Sequence, residues 1–568
     1  MEGLFSMTFS GIFFLVPILI VTVAAALHAT AYIHGDARRH LFRFWCFFTA
    51  TAVSMVAVIC AGGRLQFLLA WEAMGLASAG LVAFESEEKA VRKATWIYLM
   101  ACHAGACALM LAGVFLMRPD AWIAAFALAV VGFGLKIGFP PFHAWLPEAH
   151  PAAPAPASAI MSGAMIPLGF FGLLKFFPIS QLQSYDMQVY GWTLLVLGVI
   201  GAVGGILFAV PQSNIKRLLA FSSVENMGVV SMGFGLGALL YAHGDFKSLA
   251  LLSGAGALVH ILNHALLKGS LFLGAGSVLR QTGTLDQDRL GGLLRRMPFT
   301  GSLFTVNAFG LAGLPPLNGF MGELAIYISA FFAIKTGDSV LASAGFLVAV
   351  SLAFTGGLAA TAYAKVIGGV FLGESRSESA ANAVETPRRM WFAQLFLTLL
   401  SFAMIPGSVY LIHFLSGGCK TEIFIMAGVV GLIFAVLVFS LLLIRRFICP
   451  RGRIRPRLPV WDCGYDAPTP RMAYTATAFT QPLVDLFRPI LKSRRHIRPF
   501  AGDPAEPSDA AIATETGDLA LGGLWRPVFS GAARLFQRAH LLQNGSLHLY
   551  ILIILIAVLA LLVAALVS

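Results

Sequence analysis

The sequence predicts an all-α, polytopic membrane protein with about 14 membrane-spanning helices. Three observations carry that prediction. The 568 residues are 58% hydrophobic and only 12% charged, with a mean hydropathy of +0.81, whereas a water-soluble surface needs far more polar groups. Apolar runs recur along most of the chain, and about 20 residues suffice to cross a hydrocarbon core of about 30 Å. The runs are continuous and not alternating, so their backbone groups are satisfied inside helices and not in a barrel.

In order, the runs lie near 8–28, 42–62, 66–84, 94–116, 121–148, 157–177, 190–210, 217–240, 248–278, 300–334, 341–372, 390–414, 421–444 and 547–567. The first, from about Phe9 to Leu27, is long enough to be a true span and not a cleaved signal. Basic residues follow alternate runs: Arg38, Arg39 and Arg43; Lys89, Arg92 and Lys93; Lys216 and Arg217; Arg280, Arg289, Arg295 and Arg296; Arg388 and Arg389; Arg445 and Arg446. All these loops share one side, which is therefore cytoplasmic, and both termini face outward. The net charge of +12 thus reflects basic loops and not a nucleic-acid partner. None of the seven cysteines forms a CxxC pair, and no iron–sulfur or zinc site follows from them. A polar stretch runs from about Arg445 to Gln543. Within it, Phe479, Leu483, Val484, Phe487 and Leu491 share a helical face suited to the membrane surface or to docking. Residues Gly502 to Gly517 read as a flexible linker.

The runs at 121–148 and 300–334 are too long for one straight span, and each contains Gly-x-Pro-Pro, at Gly138–Pro141 and at Gly313–Pro316. Tandem prolines remove two amide donors and force the helix to break and resume. Non-helical backbone at membrane depth is tolerated where it is buried or lines a wet cavity, and paired interrupted helices point to an ion path.

Charges within apolar runs mark the same regions, because a charge near the bilayer centre costs roughly 3 kcal/mol or more. Glu72 lies in the third run, Lys136 before the first break, Lys216 and Arg217 at the start of the eighth run, and Glu225 two turns further in. His260, His264 and Lys268 stand at i, i+4 and i+8 of the ninth run, and Glu323 follows the second break. That spacing puts three titratable groups on one helix face, which suits a water-linked proton relay. A pairing of Glu72 with Lys136 would hold the lysine charged, and separation would favour proton release. The two histidines lack a third metal ligand. Lys216 and Arg217 also suit snorkelling anchors, and His103, His143 and His150 suit structural or loop positions. No nucleotide-binding loop, catalytic triad or cysteine cluster is present.

The run Phe142-His-Ala-Trp-Leu-Pro-Glu-Ala-His150, the run from Asn214 to Gly228 and the run from His260 to Gly276 resemble the antiporter-like subunits of respiratory complex I, of multi-subunit Na+/H+ antiporters and of energy-converting hydrogenases. Leu314 to Glu323, Trp461-Asp-Cys-Gly-Tyr465, and Glu225-Asn where a histidine is more usual, look like the hydrogenase-4 component B and formate hydrogenlyase type. The resemblance implies two inverted five-helix repeats, each with a Pro-Pro-broken helix and each forming a proton half-channel. It implies N-terminal helices over 1–62, a first half-channel bundle over 63–240 and the core of a second over 241–340. C-terminal helices over 341–446, a cytoplasmic segment over 447–546 and a last helix over 547–568 would follow. It further implies a proton path through Glu72, Lys136, Lys216, Glu225, His260, His264, Lys268 and Glu323. By the same likeness the chain holds no cofactor of its own, and NiFe and iron–sulfur centres sit in partner subunits. Those partners would be other membrane-arm subunits and a peripheral hydrogenase or dehydrogenase arm, in the cell inner membrane. Pro167, in the run after the first break, stands where many such relatives carry lysine.

Overall fold

The computed structural model describes residues 7–33, 38–178, 181–418, 422–448, 474–498 and 511–539, together with 552, 555 and 556. Contacts divide the chain into two units, Met1–Thr516 and Gly517–Ser568. The first begins with α1 (Met7–Tyr32), α2 (Arg38–Cys60), α3 (Arg64–Val82) and α4 (Lys89–Phe115). The first interrupted crossing follows as α5 (Trp122–Ile137) and α6 (Leu146–Ala152), and the chain returns through α7 (Ala155–Ile160) and α8 (Leu168–Phe176). Next come α9 (Ser184–Ala209), α10 (Ile215–Ala242) and α11 (Lys247–Thr282). After the short α12 (Leu293–Arg296), the second interrupted crossing is made by α13 (Pro298–Leu311) and α14 (Asn318–Ile334). The described helices of this unit end with α15 (Ser339–Val366), α16 (Glu378–Ala381), α17 (Arg388–Leu415), α18 (Glu422–Ile448), α19 (Ala476–Leu486) and α20 (Arg488–Leu491).

Among the described residues, 11 helices are long and apolar enough to cross a membrane, against the 14 runs expected. The 300–334 run divides at its break into two helices that are each too short. The 421–444 run forms α18, and the 547–567 run falls almost wholly outside the described residues.

The two least apolar spans are among the most deeply buried. Helix α10 has the lowest hydropathy of the 11, followed by α11, and they are 100% and 89% buried over their crossing windows, against 28% for α17. Polar groups avoid lipid, so the least apolar helices form the axis of the bundle. Helices α9 and α10 meet backbone to backbone. A side chain at Gly198, Gly205, Gly228 or Gly235 would strike the main chain of the facing helix.

Both Gly-x-Pro-Pro segments interrupt their helices as predicted. Gly138 ends α5 in the left-handed region (φ 86°), and Gly313 does the same after α13 (φ 68°), a conformation glycine adopts without steric cost. Side chains hydrogen-bond the backbone beside each break. Trp145 Nε1 donates to the Leu135 carbonyl (2.6 Å), and Asn263 Nδ2 donates to the Asn318 carbonyl (2.8 Å).

In the polar stretch the structure decides between the two readings of the apolar face and corrects the end of the linker. Of the apolar face predicted over 479–491, Val484 and Leu491 are buried in the helical core while Phe479 is exposed, so that face docks on protein. Asp288 fastens it by accepting from the Thr477 amide (2.9 Å) and hydroxyl. Arg376 donates to the carbonyls of Gln287, Leu290, Gly369 and Tyr474. The end of the predicted linker is a strand: β1 (Arg494–Arg498) pairs antiparallel with β2 (Ala511–Glu515). Its preceding residues, and the Trp461–Tyr465 motif, lie outside the described residues.

Candidate functional site: a file of buried ionisable groups

Lys136 sits on the last turn of α5, directly before the first break, and is buried. Its ammonium donates to Tyr98 Oη (3.3 Å) and lies 3.5 Å from Cys102 Sγ. The Trp71 ring is 5.8 Å away, a distance at which an aromatic face attracts a cation. Glu72, one residue after that tryptophan, instead pairs with His103 (3.2 Å), and both side chains are partly exposed. The Glu72–Lys136 ion pair weighed from the sequence is therefore not made here. Glu72 answers to a histidine that the sequence placed among structural positions.

Lys216 and Arg217 open α10 and behave differently. Arg217 forms a partly exposed ion pair with Glu148 (3.2 Å), as an anchor would. Lys216 is buried and donates to the Ala153 carbonyl at the C-cap of α6 (2.7 Å). A cation at a helix N-terminus is disfavoured, and one at a helix C-terminus is favoured. Lys216 is thus held by α6 against the preference of its own helix. It lines a cavity of about 730 Å³ shared with Glu85, Glu88, Glu148 and Arg280. The loop before α10 is itself braced by buried Lys365, which donates to the carbonyls of Val210 (2.8 Å) and Gln212 (2.7 Å).

Further along α10, Glu225 accepts from Ser222 Oγ (3.1 Å) and from Asn226 Nδ2 (2.7 Å). Ser222 Oγ also contacts Tyr363 Oη (2.6 Å). Because the Ser222 hydroxyl hydrogen goes to Glu225, the tyrosine donates to the serine. Asn226 Nδ2 serves two acceptors, Glu225 and the Ser222 carbonyl (2.8 Å), so its Oδ1 faces His260 Nε2 (3.0 Å), which donates. A chain results, Tyr363–Ser222–Glu225–Asn226–His260, whose hydrogen bonds converge on Glu225 from both sides and which joins α15, α10 and α11.

On α11, Lys268 donates to the Leu219 carbonyl (2.7 Å) and interacts electrostatically with Glu225. His264, one turn away and fully buried, has no hydrogen-bond partner on either ring nitrogen. Buried polar groups without protein partners are water sites. Glu323 lies against Gly313 at the second break, and the adjacent Gly322 packs on the backbone and Cβ of His260. No group of three or more His, Cys, Asp or Glu is gathered into a metal site among the described residues.

The structure adds His150. It is fully buried on α6, without a hydrogen-bond partner, and stacks on Phe272 (5.1 Å), one turn beyond Lys268. It lies within electrostatic reach of both Lys216 and Lys268. It therefore bridges the first break to the ninth run, where the sequence placed a structural histidine. Ser162 Oγ meets Ser223 Oγ (2.8 Å), a second polar link into α10. Pro167 follows a π-helical turn at Met161–Met165 and precedes α8, so the return crossing is interrupted as well.

Residues 61–350 match the family described as NADH:quinone oxidoreductase/Mrp antiporter, TM. Hydrogenase-4 component B of Escherichia coli (strain K12) is 31% identical, with 97% of this chain and 87% of that protein covered. Formate hydrogenlyase subunit 3 of the same organism is 38% identical over 68% of this chain and 63% of its own length. Among solved structures, a chain of the membrane-bound sulfane sulfur reductase, an archaeal respiratory membrane complex, superposes with a TM-score of 0.71 at 22% identity. That match covers 97% of this chain and 88% of the other.

Proposed function

The chain belongs to the NADH:quinone oxidoreductase/Mrp antiporter transmembrane family, and from that premise we propose that it carries protons through the membrane arm of an energy-converting NiFe-hydrogenase-type complex. Redox chemistry resides in partner subunits, which hold the NiFe and iron–sulfur centres on the cytoplasmic side. The chain sits in the cell inner membrane with both termini outward, divided into the two half-channel bundles described from its sequence. The observation that carries this reading is the file of buried ionisable groups running from Lys136 through His150, Lys216, Lys268 and Glu225 to His260, continued by half-buried Glu323, with a helix break near each end. The length and extent of the match to hydrogenase-4 component B support the choice of complex.

In this reading the cavity beside Lys216 admits water from the cytoplasm. A lysine keeps its proton while a carboxylate faces it and gives it up when dry and alone. A change of charge at one site therefore alters the proton affinity of the next. His264 and His150 take part through ordered waters. Asn226 carries no proton itself; its hydrogen bonds hold His260 and Glu225 in register, so that a charge change at one alters the proton affinity of the other and of Glu323 beyond.

Two experiments test this. Mild-detergent purification from native membranes should recover a NiFe-hydrogenase large subunit with iron–sulfur proteins; recovery of small antiporter subunits alone would replace the redox partner with a cation-exchange role. In the purified complex, Lys268→Ala and Glu323→Ala should abolish coupled proton movement while the chain remains inserted. Normal pumping by both variants would remove the relay.

A further inference from the structure

Helix α11 turns two polar faces to its neighbours, and the proton path uses one of them. His260, His264 and Lys268 share the first. Asn263, Leu267, Ser270, Gly274 and Ser277 follow one another at helical spacing and make a second face. That face packs against α13 and α17. Asn263 Nδ2 donates to Ser408 Oγ of α17 (3.1 Å), and Asn263 Oδ1 accepts from Asn318 Nδ2 (3.0 Å) just after the second break. Leu267 packs on Gly310 of α13, and Gln394 of α17 lies over Gly274. Gln394, Thr398, Ser401 and Ser408 are spread over about 21 Å of α17, and Asn307 faces them from α13. These and the polar residues of the α11 face are buried, and none is ionisable.

Protein hydrogen bonds satisfy only part of this seam. Asn307 Nδ2 gives its two hydrogens to the Leu303 carbonyl (2.7 Å) and to Thr398 Oγ1 (2.7 Å), and its Oδ1 is left without a donor. Gln394 has no partner at either end of its amide, and the hydroxyls of Ser270 and Ser277 have none. Buried polar atoms in this state are water sites. A cavity of about 10 Å³ lies where Asn307, Thr398, Ser401 and Asn318 converge, which is room for about one water molecule.

We propose that the seam between α11, α13 and α17 holds a file of ordered waters, an uncharged access route that reaches the second break from the side of the membrane where α13 and α17 begin. It is separate from the titratable file, which lies on the other polar face of α11 against α10. With no ionisable side chain along it, the seam gives a proton no place to rest. It hydrates the break itself, where Asn318 opens α14 and Glu323 lies against Gly313. These waters do not depend on the proton-transport reading, and the test reads water and not proton movement.

The test is hydroxyl-radical footprinting of the full-length chain in its purified complex, with Leu267 as the reporter. Leu267 lines the cavity, whereas Leu195 and Leu239 are buried in a purely apolar cluster. Radiolysis makes radicals from bound water, so oxidation at Leu267 should exceed that at both controls severalfold. Water carrying heavy oxygen, mixed in just before the pulse, should label the Leu267 product, as an access route requires. Gln394→Met combined with Asn307→Leu should bring Leu267 down to the level of the controls. Ser270→Ala removes a single hydroxyl and should lower the labelling in part, and it is the variant read if the double variant does not assemble. Labelling at Leu267 no higher than at Leu195 and Leu239 would overturn the proposal. So would labelling that the variants leave unchanged, or heavy oxygen that fails to reach Leu267 on prolonged mixing, which would mean sealed waters.

Discussion

Asn226 is the narrowest point of the proposed path, because among the groups named it makes the side-chain-to-side-chain hydrogen bond from α10 to α11, 3.0 Å to His260, while also bonding Glu225 on its own helix at 2.7 Å. Asn226→Leu keeps the branched shape, with a somewhat larger side chain, and removes both bonds. A hydrogen bond to a charged acceptor is worth roughly 1.5–3 kcal/mol, and each 1.36 kcal/mol is about tenfold in rate. If that stabilisation serves the transfer step, proton movement should slow by about tenfold to a hundredfold. The assay is dye-reported proton movement by the purified complex in vesicles, with partner redox turnover measured in the same preparation. Stranding His260, while Glu225 keeps only Ser222 as donor, costs roughly 1–3 kcal/mol, so a lower unfolding temperature should accompany the loss, and assembly must be checked by native gel. An assembled Asn226→Leu complex that pumps at more than half the normal rate would refute the chain Tyr363–Ser222–Glu225–Asn226–His260 as a route.

Three further outcomes are expected. Trp145→Phe leaves the Leu135 carbonyl at the first break without its donor, which should destabilise the protein by roughly 1–3 kcal/mol, seen as a lower midpoint in thermal unfolding. Asp288→Ala removes the acceptor that fastens Thr477, so limited proteolysis should cut residues 474–498 faster; an unchanged cleavage rate would show that Arg376 suffices. The Asp338 carboxyl is held below the usual carboxylate range, first by the Leu341 amide, then by the Val340 amide and by His243. A depressed value means its stabilisation is complete above the unfolded pKa of about 3.9 and lost as pH falls through the folded one. Hydrogen exchange at Val340 and Leu341 should therefore change little between neutral pH and about 4 beyond intrinsic chemistry, then lose protection below it. Asp338→Asn should keep the cap, since asparagine caps as well as aspartate.

Elements whose cause is local were legible in the sequence. A continuous apolar run must be a helix in lipid, and Gly-x-Pro-Pro must interrupt one, so the spans and both breaks could be read from residues alone. The spacing of His260, His264 and Lys268 on one face followed from the helical period. What escaped depends on side chains that meet only after packing. Tyr98 and Tyr363 are each the one tyrosine of an apolar run, and nothing along the chain tells that one meets Lys136 and the other Ser222. The sequence alone places His103 and His150 among structural or loop positions, yet one pairs with Glu72 and the other lies within electrostatic reach of two lysines. The only sign available for His150 was its place just after a broken helix. For the 479–491 face, amphipathicity alone could not separate lipid from protein as the surface it covers.

The glycine seam between α9 and α10 limits how this protein can transmit a signal. Two helices in main-chain contact at four levels cannot tilt or slide past each other without steric collision, so Lys216 and Glu225 ride on a nearly immovable wall. A piston or rocking stroke through this axis is mechanically closed off. What is left to move is small: a lysine swinging between carbonyls, a histidine ring turning, a water entering or leaving beside His264. The rigid seam makes the axis resemble an insulated conductor more than a lever, with distances between charges held constant so that shifting one proton alters the next site by a reproducible amount.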